Sequence, residues 1–473
     1  MELTPSFVLL LQDFLPVFTA PTFLTFVQVV TGWVLSHRHR YVTEIIFAGG
    51  NLDNGHWSRF HRFFSHAAWE PDVLALYLAK LVLRVFALGG TLMWAVDDTL
   101  CRKRGLSLHG AGMHHDPLIS SRAKPLVSWG HDWVVLCLLI VHPFWAPTKV
   151  FALPIVMRLY RNRQGLTKGK KNKTKAGKTK PNPNHRTRPQ LAVELISLVA
   201  AWFPHDDILV TGDSAYGGKS VLSHLPENVH LISHVHPKGA LYAPPPPPSN
   251  KSKGRRRKKG VRLPGMAEWA QDASRPWSTQ TFDQFGLHAV LQVKTQQALY
   301  YKAGGSRLLN IVLTRDRDGQ RPDQMFYCTK LDWTPRQILT AYSYRWAIEC
   351  TFENSKQFLG LEDPANRLAK AVERTAPMAL WLYTLVVVWF HVSGRLFLRF
   401  PRRRWYQRKK EPSFADLLTT LRRVSYEEKT EQLHPKPCGL KTWLAQNHRA
   451  SQPHGLTRSD SGAFRRNTCS QTP

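Results

Sequence analysis

The sequence predicts an α/β fold, and three observations support this prediction. Several long apolar runs lack the polar alternation of half-exposed strands, which is typical of a sheet buried on both faces. Helical patterns separate these runs, so that the order is three strands, a helix, a strand, a helix and a strand. The residues before the first run have an all-α pattern. We therefore expect a mixed sheet flanked by helices, preceded by a helical domain.

Residues 1–88 are predicted to form that helical domain. Aromatic residues recur at helical spacing, as at Trp57, Phe60 and Phe63, and basic residues such as Arg59 lie among them. This pattern fits a DNA-binding domain, with a helix-turn-helix arrangement as one form of it. A plain helical packing domain would explain the same aromatic residues, and the sequence leaves both interpretations open.

The predicted strands of the core lead to two acidic residues. The strands are Thr91–Val96, His109–Met113, Trp133–Val141, Ile208–Gly212 and His230–Val235. A helix is predicted over Pro189–Trp202, and Gly217-Gly218 opens a short one. The first strand leads to Asp97 and the fourth to Asp213, so both carboxylates are expected at strand ends.

The second half of the chain combines an insertion with the rest of the core. Residues 237–310 begin with a proline run and contain strand-like patches, and a long helix that carries Glu349 starts at Thr334-Pro335. The predicted division of the remaining chain is 89–236 and 311–375 for the two parts of the core, 376–430 for a C-terminal helical region and 431–473 for a basic, disordered tail.

The charge of the chain indicates a polyanionic partner. Lys and Arg number 65 and Asp and Glu number 33, which gives a formal net charge of +32. Nucleic acid is the usual partner of such a chain, because each neutralised phosphate releases counterions. Two polybasic segments, Lys168–Arg188 and Lys251–Lys259, are predicted to be loops that contact the DNA backbone, with solvated loops as the alternative.

Membrane and secreted classes are less favoured. The apolar stretches Phe14–Leu35 and Ala376–Val392 are short or interrupted for a membrane span, so buried core helices are the better interpretation. The six cysteines are scattered without a CxxC pair, which disfavours a zinc site and a disulfide framework. The first residues lack the basic region of a signal peptide. We therefore expect an intracellular protein that does not associate with a membrane.

Four residues around the acidic helix position form a specific pattern. Tyr342, Arg345, Glu349 and Lys356 follow the spacing Y-x-x-R-x-x-x-E-(six residues)-K. On one continuous helix their side chains would lie within roughly 60° of one another. That face presents a carboxylate beside two cations and a phenol, which suits a metal ion next to a phosphate. A surface helix with an Arg345–Glu349 ion pair is the structural alternative.

Phosphodiester cleavage explains why acids would be placed in this way. Two divalent ions held about 4 Å apart by carboxylates activate the nucleophile and neutralise charge at phosphorus. Mg²⁺ prefers hard oxygen ligands of this kind. A lone Asp at a strand end is more often a turn former, so the prediction depends on the combination of Asp97 or Asp98 with Asp213 and Glu349.

With these motifs the sequence resembles the DDE transposases of bacterial insertion sequences that carry a Y-R-E-K signature. The resemblance covers residues 90–370, roughly, and rests on Val96-Asp97-Asp98-Thr99, on Gly212-Asp213-Ser214 and on the pattern from Tyr342 to Lys356. It implies an RNase H-like catalytic core with a β-rich insertion before the Glu helix. The residues implied are Asp97, Asp213 and Glu349 as catalytic metal ligands, and Tyr342, Arg345 and Lys356 as DNA-binding residues. The Asp-x-Thr pattern of these transposases selects Asp97 over Asp98.

The same resemblance implies a DNA transposase, that is, an endonuclease and strand-transferase that uses two Mg²⁺ ions, for which Mn²⁺ substitutes. Its partners would be double-stranded DNA, as element terminal inverted repeats and target DNA, and a second copy of the chain in a homodimer. Its location would be the bacterial cytoplasm, on the nucleoid. The alternatives are a non-catalytic, transposon-derived DNA-binding protein and an RNase H-like nuclease of another purpose. The long polybasic loops and the proline run depart from the pattern of these transposases.

Overall fold

The computed structural model describes residues 2–50, 55–121, 123–163, 185–247, 256–284, 287–319, 321–400 and 409–433. The chain divides into one compact unit, Met1–Ser425, and a second unit, Tyr426–Pro473. Most of the two polybasic segments and of the predicted tail 431–473 lies outside the described residues. The roles predicted for those segments therefore stay predictions.

The regular elements described before the first strand are all helices. The helices are α1 (Pro5–Leu11), α2 (Ala20–Leu35), α3 (Val42–Ala48), α4 (Ser58–Ser65) and α5 (Pro71–Phe86), with a 3₁₀ helix at Gln12–Val17. Proline starts α1 and α5, at a position where its missing N–H removes no intrahelical hydrogen bond. Phe60, Phe63 and Phe64 of α4 are buried, so these aromatic side chains belong to the core. A separate DNA-binding role for these helices stays a prediction.

The strands of the described chain form one ten-stranded mixed sheet. They are β1 (Thr91–Arg102), β2 (Gly112–His115), β3 (Val127–Val141), β4 (Val150–Tyr160), β5 (Asp207–Gly212), β6 (Val229–His234), β7 (Ser278–Gln284), β8 (Leu287–Leu299), β9 (Leu308–Asp316) and β10 (Gln324–Cys328). The order across the sheet is β2-β3-β1-β5-β6-β10-β9-β8-β7, and β4 also pairs with β3. The pairs β1–β5 and β5–β6 are parallel, and the outer pairs are antiparallel.

The α-helices that follow the first strand are, in chain order, α6 (Arg188–Trp202), α7 (Lys219–Leu222), α8 (Met266–Gln271), α9 (Tyr301–Gly304), α10 (Pro335–Ser343), α11 (Trp346–Leu359), α12 (Ala369–Val392) and α13 (Phe414–Leu433). α6 packs against β3 and β4, whereas α11 packs against β1 and β4. Successive residues of a strand point to opposite faces, and Asp97 meets Arg345 while Asp98 meets Arg188 of α6. A mixed sheet flanked by helices is consistent with the expected RNase H-like core.

The apolar helix α12 lies inside the protein. By length and composition it could cross a membrane, yet 89% of its apolar window is buried. Trp381 is 2% exposed and Trp389 is 0% exposed, and the indole of Trp381 donates a hydrogen bond to the Ile155 carbonyl of β4. In this structure residues 376–392 therefore form a core helix packed on the sheet.

The first strand is longer than predicted, because two different partners set its length. The parallel partner β5 stops at Gly212, opposite Val96. The antiparallel partner β3 continues beside β1 as far as Arg102. The prediction that the strand ends at Asp97 is therefore wrong for β1 itself, although the parallel pairing does end there.

The strand β4 was not predicted from the sequence. Its apolar run contains Pro154, and proline within a run argues against a central strand. The structure accommodates this proline at an irregularity, since the register between β3 and β4 shifts between Leu136 and Cys137. Proline is tolerated at such bulges because a ladder hydrogen bond is already missing there.

The helix predicted to carry all four signature residues is interrupted. α10 ends at Ser343, Tyr344 follows as its cap, and Arg345 precedes the first residue of α11. Tyr342 therefore belongs to α10, while Glu349 and Lys356 lie two turns apart on α11. The prediction that the four side chains share one helical face is therefore wrong, because the break between α10 and α11 separates Tyr342 from Glu349 and Lys356.

The predicted insertion does not form a sheet of its own. β7 and β8 pair with each other, and β8 pairs with β9, so the ten-stranded sheet continues through them. The predicted boundary at residue 310 cuts β9, which starts at Leu308. The insertion is therefore an extension of the central sheet beyond β10 and β9.

Candidate active site

Two acidic residues lie side by side where β1 and β5 stop pairing. Val96 is opposite Gly212 in the last parallel pair, so Asp97 and Asp213 are the residues that directly follow this pair in the chain. The carboxyl ends of parallel strands meet at the same edge of the paired region. The Asp213 Oδ1 accepts a 2.8 Å hydrogen bond from the N–H of Ala215, which holds the turn that follows β5.

Arg345 joins Asp97 to Glu349. Its Nη1 lies 2.6 Å from the Asp97 Oδ2, and its Nη2 lies 2.9 Å from the Glu349 Oε1. The guanidinium side chain is 14% exposed and that of Asp97 is 16% exposed, so this contact is largely shielded from water. The break between α10 and α11 places Arg345 at the start of α11, where it reaches both carboxylates.

The site holds more negative charge than one guanidinium neutralises. Burial raises the pKa of Asp97 to about 7; Arg345 opposes this rise, while Asp213 and Asp98 add to it. Burial disfavours the ionised carboxyl because water no longer solvates it, and like charges nearby have the same effect. A cation bound among these carboxylates would remove that cost.

Asp98 belongs to a different network on the other face of β1. Its Oδ1 accepts a 2.7 Å hydrogen bond from the phenol of Tyr216, and its Oδ2 lies 3.3 Å from the Nε of Arg188. Arg188 also pairs with Asp132, whose side chain is 1% exposed. Burial raises the pKa of Asp98, Asp132 raises it further, and Arg188 and Tyr216 oppose them. Asp97 is thus the member of the pair that lies with Arg345 and Glu349.

Tyr342 lies at this site together with a residue that the sequence did not single out. Its hydroxyl makes a 3.0 Å hydrogen bond with the Nδ1 of His234, the last residue of β6. The Arg345 guanidinium carbon lies 5.9 Å from the Tyr342 ring centroid. Burial lowers the pKa of His234 below its ordinary value, so a neutral imidazole is favoured. The sequence could have indicated His234 as a site residue, because it lies near the end of a predicted strand, and β6 is parallel to β5.

Lys356 is tied to the sheet rather than aimed at the three acids. Its Nζ donates a 2.7 Å hydrogen bond to the carbonyl of Leu100 on β1 and lies 4.0 Å from the Glu362 Oε1. The ammonium therefore links α11 to β1. Its predicted contact with DNA stays a prediction.

The structure brings Asp97, Arg345, Glu349 and Tyr342 together, but it does not form a closed metal site. Within the described ranges, no three His, Cys, Asp or Glu side chains are grouped so that they could hold one ion. The guanidinium of Arg345 takes the position between Asp97 and Glu349. By chemistry the three carboxylates suit a hard divalent cation, and the charge imbalance at Asp97 favours one.

Known proteins give two comparisons of different weight. Residues 13–304 match a family described as DDE superfamily endonuclease; the match includes Asp97 and Asp213 and ends before Glu349. Among solved structures, the chain is similar to piggyBac transposase in a cryo-EM structure of its synaptic complex with hairpin DNA, at 11% identity and a TM-score of 0.37. That similarity covers 93% of this chain and 77% of the other. No curated protein matches the sequence significantly.

Proposed function

Because the chain belongs to the DDE superfamily endonucleases, we propose that it is a DNA transposase that cuts and joins the ends of a mobile element. The reaction would be a metal-dependent cleavage of one strand followed by attack of the freed 3′-hydroxyl on another phosphodiester. The element would be a bacterial insertion sequence with a Y-R-E-K enzyme. The net charge of +32 supports a DNA partner, and a homodimer on paired element ends is part of the proposal.

One observation carries the proposal. A single guanidinium binds both Asp97 and Glu349, and Asp213 directly follows β5, whose last residue pairs with the residue before Asp97. Arg345 therefore links two acids that are 252 positions apart in the chain, and its cation lies between them. An intrahelical Arg345–Glu349 pair alone would not explain why Asp97 takes part.

The proposed cofactor is Mg²⁺, in two ions, with Mn²⁺ as a substitute. Asp97, Asp213 and Glu349 would hold the ions, since their oxygens match the preference of Mg²⁺. When bound, the ions would lower the pKa of a water molecule and neutralise charge at the phosphate. Arg345 would leave the space between Asp97 and Glu349 to make room.

The displaced guanidinium has a further use. Its Nε is buried and has no hydrogen-bond acceptor among the described residues. An Arg side chain binds phosphate oxygens through two N–H groups at once. We propose that Arg345 holds the phosphate of the cut end, with the hydroxyl of Tyr342 beside it and Lys356 as a third contact.

The test is cleavage of a plasmid that carries the DNA flanking the gene. Asp97→Asn, Asp213→Asn and Glu349→Gln each remove a charged ligand and keep the side-chain shape, so each is expected to lose cleavage with Mg²⁺ and with Mn²⁺. Glu353→Gln is the matched control, because Glu353 is an exposed acid one turn later on α11. Full cleavage by Asp213→Asn would contradict the two-metal proposal.

The same experiment separates the alternatives. A non-catalytic DNA-binding protein would bind the flanking DNA and cut nothing in any form. A nuclease of another purpose would cut DNA without the flanking repeats as well as DNA with them. A transposase requires cutting at the element ends and joining to a second DNA.

A further inference from the structure

A second charged feature lies outside the candidate active site, in a cleft of about 880 Å³ between α7, α9 and the segment around Tyr242. Its functional groups are four cations and two phenols: Lys219, Lys259, Lys302, Arg307, Tyr242 and Tyr301. Among the described residues that line it, none is acidic. Within the described part of the chain, none of the four cations is paired with a carboxylate.

The four cations of the cleft differ from two cations elsewhere in the described chain that have acidic partners. The Nη2 of Arg315 on β9 lies 2.7 Å from Asp323, and Lys330, which follows β10, pairs with Asp207. Four like charges around a cleft produce a concentrated positive potential. The cleft therefore favours an anionic ligand over a neutral one.

The two tyrosines further restrict the class of anionic ligand that fits the cleft. The Lys259 Nζ lies 3.7 Å from the ring centroid of Tyr242 and 5.1 Å from that of Tyr301, and the two rings meet at 74°. Inorganic phosphate has no group that stacks on these rings, whereas a nucleotide has both a phosphate and a planar base. Stacking of a base on an aromatic ring is generally stronger than an exposed cation–π contact. A base can therefore take the place of the Lys259 ammonium, which is then free to bind a phosphate.

The cleft lies close in the chain to Asp213 of the candidate active site. Lys219 is six residues after Asp213, so the two Cα atoms are separated by at most about 20 Å, the reach of an extended chain of that length. A DNA strand of a few nucleotides spans this distance. Bases paired within a duplex do not present their faces, so only an unpaired strand can use the tyrosine rings.

We propose that this cleft binds an unpaired segment of a DNA strand close to the candidate active site, with its phosphates on Lys219, Lys302 and Arg307 and one base against Tyr301. The inference rests on the proposed function, since the segment would be the strand that continues from the cleavage point. The cleft thus holds a strand apart from its complement while the carboxylates act on its neighbouring phosphate.

Binding of the full-length protein to a fluorescent single strand and to the matching duplex tests this assignment. Lys219→Gln with Lys302→Gln removes two exposed charges, and Tyr301→Ala removes a ring while Tyr301→Phe keeps it. The double variant Lys219→Gln/Lys302→Gln is expected to bind the single strand about tenfold more weakly than the parent. The slope of its log affinity against log salt should be smaller by about 1.4, that is, about 0.7 for each lost phosphate contact. Tyr301→Ala is expected to lose single-strand affinity that Tyr301→Phe retains. The control is Lys370→Gln, an exposed lysine outside the cleft.

Two results would overturn the assignment. Unchanged single-strand affinity in the paired lysine variant shows that the cleft is not a nucleic-acid site. Equal losses for single strand and duplex, with no effect of Tyr301→Ala, show that it holds only a duplex backbone. The proposed function fails by a different measurement. It would be contradicted if the parent protein showed no metal-dependent cleavage of DNA, whatever the cleft binds.

Discussion

The phenol of Tyr216 donates a 2.7 Å hydrogen bond to the Oδ1 of Asp98, and this bond connects the two segments that carry Asp97 and Asp213. Asp98 follows Asp97 on β1, and Tyr216 lies three residues after Asp213. The Tyr216 side chain is 0% exposed, so the bond is shielded from competing water. The two candidate catalytic carboxylates are thus held in place from the opposite face of the sheet.

Tyr216→Phe is expected to destabilise the protein by about 1–3 kcal/mol, the usual cost of losing a hydrogen bond to a buried charged group. The loss is expected to be larger at pH 7 than below pH 3.8, because the Asp98 carboxyl is protonated in both folded and unfolded states at low pH. Urea unfolding at the two pH values measures it. Tyr41→Phe, at an exposed tyrosine, is the control. Equal losses at both pH values would contradict the proposed role of the ionised Asp98.

Asp97→Asn is expected to change how stability depends on pH in metal-free protein. The pKa of Asp97 is raised from 3.8 to about 7, so its ionisation costs the folded state free energy. The free energy of unfolding of the parent should fall as pH rises from about 4 to about 7, since the unfolded state ionises first. Asparagine does not titrate, so the variant should lack the part of this fall that Asp97 contributes and keep the part that comes from the raised pKa of Asp98. Parallel pH curves for parent, Asp97→Asn and the control Glu353→Gln would show that Asp97 ionises normally.

Arg345→Ala is expected to weaken stable complexes with element-end DNA by at least tenfold, because it removes a guanidinium able to bind a phosphate through two N–H groups. Binding of Mn²⁺ should persist, since the three carboxylates remain. Gel-shift assays and paramagnetic relaxation measure the two quantities. Arg336→Ala removes an exposed arginine at the start of α10 and serves as the control. If Arg345→Ala holds end DNA as tightly as the parent, its role is confined to the contact with Asp97 and Glu349.

Lys356→Met is expected to cost about 1–3 kcal/mol of folding free energy, because the Leu100 carbonyl loses its charged hydrogen-bond donor. The thioether keeps the apolar stem, so packing of α11 on β1 should be retained. End-DNA binding measured on the folded variant shows whether the ammonium also contacts DNA. Unchanged affinity together with reduced stability would assign Lys356 a purely structural role.

Much of the core could be predicted because its signals are local. Apolar runs identified β1, β3, β5 and β6, and the spacing of the acids identified Asp97, Asp213 and Glu349 as residues to examine. Of the two adjacent acids, Asp97 is the one in contact with Arg345, and its catalytic role stays a prediction. The family match supports an endonuclease and does not reach Glu349.

The missed features depend on partners that are distant in the chain. Pro154 disfavoured a strand, yet β3 accepts it at a shift in register. The break after α10 leaves the helical pattern of the sequence intact, so periodicity alone could not reveal it. His234 could be assigned to the site only from the structure. There β6 lies beside β5 and against α10, so the imidazole of His234 forms a hydrogen bond with the hydroxyl of Tyr342.

Arg345 also bears on how the protein tolerates the removal of metal ions. Chelators unfold proteins whose ligand cluster depends on the ion for its neutralisation. Here a covalently attached cation already lies between Asp97 and Glu349. We expect the chain to fold and to be purified in the presence of a chelator, so that divalent ions would control when the enzyme acts rather than whether it is folded.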